Sequence, residues 1–327
     1  MKKLFLTFVF AIVATLTAMA QQISVVSTTG TTTIYRTLQE AIEGADPGSV
    51  IYLPGGGFTI SDEVKINKKL TIIGIGHKSN NDNVDGVTTI NGNLFFNEGS
   101  SSSAVLGCYI TGNVNIGDGG AAVSDVLIKY CNLNAVFVNS ILCLGTIVNQ
   151  NYIRGDSDFG NSNPQIKNNI LRFVRNIDGG IISNNIFTSS IASVNYAQWG
   201  EYSISPSNSS YINNNIFFPY NTYYPYYMVF GSNNQIAENM VKDNFGDGSI
   251  DWNNVFVNYN GGAISPSSDF HFKEDYKQYE NQVGIYAGDG FNDNQMAPVP
   301  YIVAKDVKEQ TDASGKLNVK IRVKAGQ

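Results

Sequence analysis

Six basic residues lie between Asn80 and Asn260, against thirteen acidic ones, so the middle of this chain has few groups for acid–base chemistry. Three of the six are arginines close together in sequence. Arg154 opens RGDSDF with Asp156 and Asp158 just after it, and Arg172 and Arg175 follow in LRFVR. Two carboxylates beside these guanidiniums could act together: Asp156 and Asp158 as ligands of Ca²⁺, and Arg154 or Arg172 as a base. A second reading needs no ligand: stacked arginines require acids nearby, and a surface ion-pair cluster gives them. The tripeptide Arg-Gly-Asp is too short to support adhesion. His77 and His271 stand alone in GIGHKS and FHF.

The other notable groups are aromatic. NYAQWGEYS supplies Tyr196, Trp199 and Tyr202, and FFPYNTYYPYYMVF supplies Tyr220, Tyr223, Tyr224, Tyr226 and Tyr227. Aromatic faces with hydroxyl tips can bury the C–H surface of sugar rings and still bond their hydroxyls. The same side chains could instead cover the loop that carries them or meet a protein partner.

The elements that must position these groups follow from a repeat. IKNNIL (166–171), ISNNIF (182–187), INNNIF (212–217) and IAENMV (236–241) share one frame. Weaker copies are VLGCYI, IKYCNL, VNQNYI and DWNNVF. Alignment puts Cys108, Cys131, Asn151, Asn169, Asn185, Asn215, Asn239 and Asn254 in one column, at steps of 23, 20, 18, 16, 30, 24 and 15 residues. A short strand-like unit without a crossover helix predicts an all-β, right-handed parallel β-helix in which the column forms an asparagine ladder. Arg154 and Arg172 each lie three residues after a ladder asparagine and are expected to stack. The 30-residue step holds NYAQWGEYS, which is expected to project as a loop. Cys108 and Cys131 are expected as buried thiols, with a disulfide between them as the alternative.

At the start of the folded part, Thr37 and Glu40 have capping-box spacing, and Leu38, Ala41, Ile42 and Ala45 share one helical face. A helix over about 37–45 is therefore expected to cover the open apolar end of the first repeat. Before it, Lys2 and Lys3, an apolar run from Leu4 to about Leu16, and Ala18 and Ala20 predict a signal peptide over 1–20, and hence export. Residues 21–33 are a lead-in, 34–290 the repeat domain, and 291–327 a C-terminal hairpin with strands at Ile302 to Val307 and Leu317 to Val323, expected to blunt or extend the far end.

The order TLQEAIEGA, SVIYLPGG, FTISDEVKI, KKLTIIGIG resembles the N-terminal cap and first repeat of pectate-lyase-like right-handed parallel β-helix proteins. The likeness is close over 34–76 and one of style to about 258. VGIYAGDGF and the segments after it resemble the closing part of secreted bacterial members. The resemblance implies the fold and says little about activity, the tail being similar to members with no settled one. The hydrolase motifs of that superfamily (Asn-Thr-Asp, Asp-Asp, Gly-His-Gly, Arg-x-Lys) are absent, which leaves galacturonan hydrolysis unsupported.

The function expected from the sequence is therefore carbohydrate interaction through the aromatic loops, without a catalytic set and without a cofactor. The alternatives are a divergent Ca²⁺-dependent polysaccharide lyase, and a structural or adhesive surface protein. With 21 basic and 27 acidic residues the charge is −6, or −8 once Lys2 and Lys3 leave with the signal, which disfavours nucleic acid. No later stretch is long and apolar enough to span a membrane. Oligomeric state is left open.

Overall fold

A computed structural model describes residues 22–78, 86–188, 191–192, 201–217, 226–239, 254–259, 268–308, 310–311 and 314–324. The chain is mostly β. Among the described residues, eleven strands form one sheet and fourteen another. In the first, Val50–Leu53, Thr71–Gly74, Ala104–Leu106, Leu127–Lys129, Ile147–Asn149, Gln165–Lys167, Ile181–Ser183, Tyr211–Asn213 and Gln235–Ala237 pair in parallel, each with the next. The register stacks one β-branched residue from each of the first eight of these strands, from Ile51, Ile72, Val105 and Ile128 to Val148, Ile166, Ile182 and Ile212, all fully buried, while Ile236 in the ninth is exposed. Each buried side chain of the stack is worth about 1.5–3 kcal/mol over its exposed state.

Between successive strands of the first sheet the chain visits the second. The two are joined by a tight corner that explains the doubled asparagine of the repeat. The residue before each column position from Cys108 to Asn239 has a left-handed backbone: Gly107, Tyr130, Gln150, Asn168, Asn184, Asn214 and Glu238 have φ between 53° and 65°. Asparagine tolerates this conformation better than most residues do. The column residue itself turns inward and bonds its counterparts. The amide N–H of Asn151 donates to Asn169 Oδ1 (2.9 Å), that of Asn169 to Asn185 (2.9 Å), that of Asn185 to Asn215 (2.9 Å) and that of Asn215 to Asn239 (2.9 Å). Each Nδ2 in turn donates to a carbonyl of the first sheet, as Asn169 does to Val148 (2.9 Å). Asn254 does not belong to this ladder. It is exposed, and its Oδ1 accepts from Lys273.

The ladder begins with two thiols. Cys108 and Cys131 are buried and free, so no disulfide joins them. Burial pushes the Cys131 thiol up to about 12 and that of Cys108 well above its usual value.

The helix Leu38–Gly44 has the expected capping box, with Thr37 Oγ1 accepting from the Glu40 amide (3.1 Å) and Glu40 Oε2 from the Thr37 amide (3.2 Å). Leu38, Ala41, Ile42 and Ala45 are buried in the main core. The lead-in over 21–33 is more than a lead-in. Ile23–Val26 pairs antiparallel with Val50–Leu53, and Thr32–Tyr35 pairs with Ile23–Val26, so these two strands form one edge of the first sheet.

The largest departure concerns the C-terminal part. Ile170, Ile186 and Ile216 point away from the main core and are nevertheless buried. They form a second core with Val255, Phe256, Phe270, Phe272, Val283 and Ile285. The pair Phe256–Asn258 and Asp269–Phe272 is antiparallel, and the chain beyond it runs back along the corners. There the left-handed corner residues hold it. Asn214 Nδ2 donates to Gln282 O (2.9 Å), Asn168 Nδ2 to Ile285 O (2.9 Å) and Ala287 O (2.7 Å), and Gln150 Oε1 accepts from the Asn292 amide (2.8 Å). This strap ends at Val299 and Pro300, beside Gln22, Tyr52 and Ile73. The hairpin Tyr301–Val307 with Val319–Lys324 forms as expected, but it leaves the body beside the first strands and does not blunt the far end.

Two outcomes follow from these contacts. Asn169→Ala should cost about 3 kcal/mol in urea unfolding, because it strands buried donors and acceptors on both sides. A loss under about 0.5 kcal/mol would remove the ladder as a structural constraint. Cys108 and Cys131 should resist alkylation in the folded protein and react once it is unfolded, and prompt labelling of either in the native state would contradict their burial.

Candidate functional site

The arginine and aspartate patch does not assemble as the spacing predicts. Ile153 lies opposite Leu171, but a bulge then sets Asp156 opposite Phe173, so Arg154 and Arg172 are not stacked. Arg154 turns toward earlier repeats. It donates to Tyr109 Oη (2.6 Å), Ile110 O (2.7 Å) and Leu133 O (3.3 Å), and its guanidinium lies 4.7 Å from the Tyr109 ring centre. Arg172 Nε sits 3.5 Å from Asp156 Oδ1, and Arg175 Nε 2.8 Å from Asp158 Oδ2. Asp158 also accepts from Asn176 Nδ2 at 2.9 and 3.0 Å. Both pairs are half-exposed ion pairs, worth 0 to about 1 kcal/mol each. Each member of the patch has an ion-pair or hydrogen-bond partner within the protein. Among the described residues, no group of three or more His, Cys, Asp or Glu side chains could hold a metal ion.

Of the aromatic candidates, Tyr196, Trp199, Tyr220, Tyr223 and Tyr224 lie outside the described residues. Tyr202 is buried within Glu201–Asn208, so it is not a contact surface. Tyr226 and Tyr227 lie in Tyr226–Ser232, paired in parallel with Glu201 and Tyr202. Most of the expected loop NYAQWGEYS lies outside the described residues; its last part belongs to the strand Glu201–Asn208, where Glu201 and Tyr202 pair antiparallel with Ala192 and Ile191.

The two histidines fasten the strap. His271 Nδ1 lies 2.8 Å from Asp269 Oδ1 and Nε2 3.8 Å from Asp293 Oδ2, and the ring stacks on Tyr286 at 4.0 Å. Tyr286 Oη donates to Asp293 Oδ1 (2.7 Å), and burial, then that carboxylate, push its phenol up. Both imidazole nitrogens face carboxylates, which suits a clamp better than a base. Burial pushes the Asp269 carboxyl up, but the His271 amide and ring and Lys78 outweigh this and hold it below its usual value. His77 Nε2 lies 3.2 Å from Gln295 Oε1, with Tyr152 edge-on at 5.7 Å. Desolvation lowers its pKa to about 4.

An open cleft of about 650 Å³ remains, lined by Lys65, Asn67, Asn97, Glu98, Asp118 and the glycines after it. Its walls come from three separate stretches. Ile66 bridges to Phe96, which brings Lys65 and Asn67 beside Asn97, and the Gly117 amide donates to Phe96 O (2.9 Å). Gly99 has φ +91°, and a Cβ there would lie 2.4 Å from Asn67 O, so only glycine fits this approach. Lys65 Nζ sits 3.3 Å from Asp118 Oδ2 and 3.4 Å from the Phe95 ring centre. Gly119 and Gly120 form an open lip, with no atom within 4 Å of an added Cβ. The next loop is tied to this lip by Ser140 Oγ to Gly120 O (3.4 Å) and Cys143 Sγ to Ala121 O (3.2 Å). It exposes Ile141, Leu142 and Leu144 at 62, 58 and 48%. A polar cleft thus adjoins an aliphatic ridge. Sequence reasoning missed this site. Its one visible signal was the Gly-Asp-Gly-Gly turn at 117–120.

No family model matches the chain, and no curated protein and no solved structure is significantly similar to it.

The strap contacts carry a pH dependence of definite sign. His77 binds a proton less readily folded (about 4) than unfolded (about 6.5), so the unfolded state takes up more protons between those values. Stability should fall as pH drops from about 6.5 toward about 4, and the lowered Asp269 carboxyl should extend the loss below its ordinary 3.8. Melting temperature measured against pH should show a shallower slope for His77→Gln in the upper window. Identical profiles would mean that His77 is not the group responsible.

Proposed function

We propose that the chain is an exported right-handed parallel β-helix protein, related in architecture to the pectate-lyase-like group, that binds carbohydrate without cleaving it. Several features support the architecture: parallel pairing at steps of about twenty residues, the asparagine ladder, and a capped N-terminal helix packed against the edge strands. The proposed export rests on the signal-like first twenty residues.

The observation that carries the binding reading is the cleft at Lys65, Asn67, Asn97, Glu98 and Asp118 beside Ile141, Leu142 and Leu144. Amide and carboxylate groups converge there with a lysine, the donor and acceptor mix that hydroxyl-rich ligands need. The exposed aliphatic ridge offers a surface for sugar C–H faces, and clustered exposed apolar groups mark contact sites. The lyase alternative draws no such support, because Arg154, Arg172 and Arg175 are each engaged by protein groups.

Binding should be sought on a glycan array with the chain from residue 21. Glu98→Gln with Asp118→Asn should weaken any positive signal at least tenfold while leaving the melting temperature within a few degrees. Unchanged binding by that variant would move the site elsewhere. Formation of unsaturated product from uronate polymers with Ca²⁺, followed by ultraviolet absorbance, would overturn the non-catalytic reading.

A further inference from the structure

The C-terminal hairpin is chemically unlike the body that carries it. Residues 301–327 hold six basic groups (Lys305, Lys308, Lys316, Lys320, Arg322, Lys324) and three acidic ones, net +3, whereas residues 21–300 hold 13 basic and 24 acidic, net −11. Strand alternation separates its side chains into two faces. On one, Val307 lies opposite Val319, Ile302 opposite Val323 and Lys305 opposite Ile321. Val307, Leu317, Val319, Ile321 and Val323 are 47–57% exposed, so this aliphatic face is not packed on the body. On the other, Lys320 lies opposite Asp306, Arg322 opposite Ala304 and Lys324 opposite Tyr301. The facing strand carries one carboxylate, that of Asp306, with Lys308 3.5 Å from it, so among the described residues of this side cations outnumber acids. Alternate residues of a strand repeat at about 7 Å.

A two-stranded hairpin has little stability of its own in water. An open aliphatic face makes that worse unless something covers it.

Three occupants can be compared on charge and area. A second copy of the hairpin would bring +3 against +3, over a face of roughly 20 by 10 Å, well short of the 800 Å² or so per partner of a stable interface. A soluble polyanion would use the cations and leave the aliphatic face in water. An anionic lipid surface uses both features. The aliphatic side chains enter the boundary between headgroups and acyl chains, and the lysine and arginine stems extend along it to reach phosphate.

We propose that the hairpin Tyr301–Val307 and Val319–Lys324 is a peripheral docking element for anionic lipid surfaces. It holds the acidic body at the surface through the strap that begins near Gln282. The docking is independent of the glycan cleft, which lies on other elements.

Vesicle co-sedimentation of the chain from residue 21 tests this. Phosphatidylcholine vesicles are compared with phosphatidylcholine–phosphatidylglycerol vesicles over a range of salt. The protein should bind the anionic vesicles preferentially and lose affinity as salt rises. Lys320→Gln, Arg322→Gln and Lys324→Gln together should reduce binding about a hundredfold, at roughly fivefold per cation. Ile321→Ser with Val323→Ser should abolish the binding that survives at high salt. Glu98→Gln with Asp118→Asn should bind vesicles as the unaltered chain does, even if glycan binding is lost or never found.

Equal binding to both vesicle types, or no effect of the triple change, would overturn the proposal. Full competition by dextran sulfate together with unchanged vesicle binding by the serine variant would identify a soluble polyanion as the partner. A concentration-dependent dimer abolished by Ile321→Ser would identify a second copy. Should a multiple variant misfold by circular dichroism, the salt dependence of the unaltered protein and the single Arg322→Gln change decide between the same outcomes.

Discussion

The structure depends on how each corner between the two sheets satisfies its buried backbone. A turn this tight leaves an amide N–H facing the interior, and an interior N–H without a partner costs as much as a lost hydrogen bond. The column asparagine meets that need from the neighbouring repeat, with its Oδ1 on the preceding corner's amide and its Nδ2 on a carbonyl of the first sheet. The polar requirement is thereby met inside a stack of isoleucine, valine and phenylalanine, including Phe187 and Phe217 stacked at 4.8 Å. Cys131 fills the same inward position with a thiol that bonds Lys129 O at 3.3 Å, and its amide donates to Asn151 Oδ1.

The same corners serve a second purpose. Each needs a left-handed residue, and where that residue is Asn or Gln its side chain faces outward with an amide group to offer. The C-terminal strap takes up several of these groups in succession, and the outward isoleucines Ile170, Ile186 and Ile216 take its apolar side. A device required for turning the chain therefore also provides a track for its last part.

Much of this was legible in the sequence, because the frame around IKNNIL, ISNNIF and INNNIF records local needs: one β-branched inward residue, one left-handed residue, one ladder amide. The second core was missed, although the same frame carries its mark. Adjacent apolar residues such as Ile186 and Phe187 point to opposite faces of a strand, so both faces must be covered. The register of Arg154 was not legible, since a single-residue bulge moves it and leaves no mark in composition. Nor was the cleft, whose Lys65, Asn97 and Asp118 come from three stretches, each unremarkable alone. Asn254 fits the frame by type but is exposed, with its Oδ1 taken by Lys273.

The ladder has a direction. From Cys131 to Asn215 each corner donates its amide forward, Cys131 to Asn151, Asn151 to Asn169, and on to Asn185, Asn215 and Asn239. A repeat is thus completed only by the one synthesised after it, and a chain emerging from its amino end carries an unfinished corner at its growing tip throughout. The strap is made after the ladder and lies antiparallel to that order, touching late corners first and early ones afterwards. Assembly that proceeds one way is fastened by a segment that travels the other, and a chain halted before residue 268 would keep its ladder but leave Ile170, Ile186 and Ile216 without most of their cover.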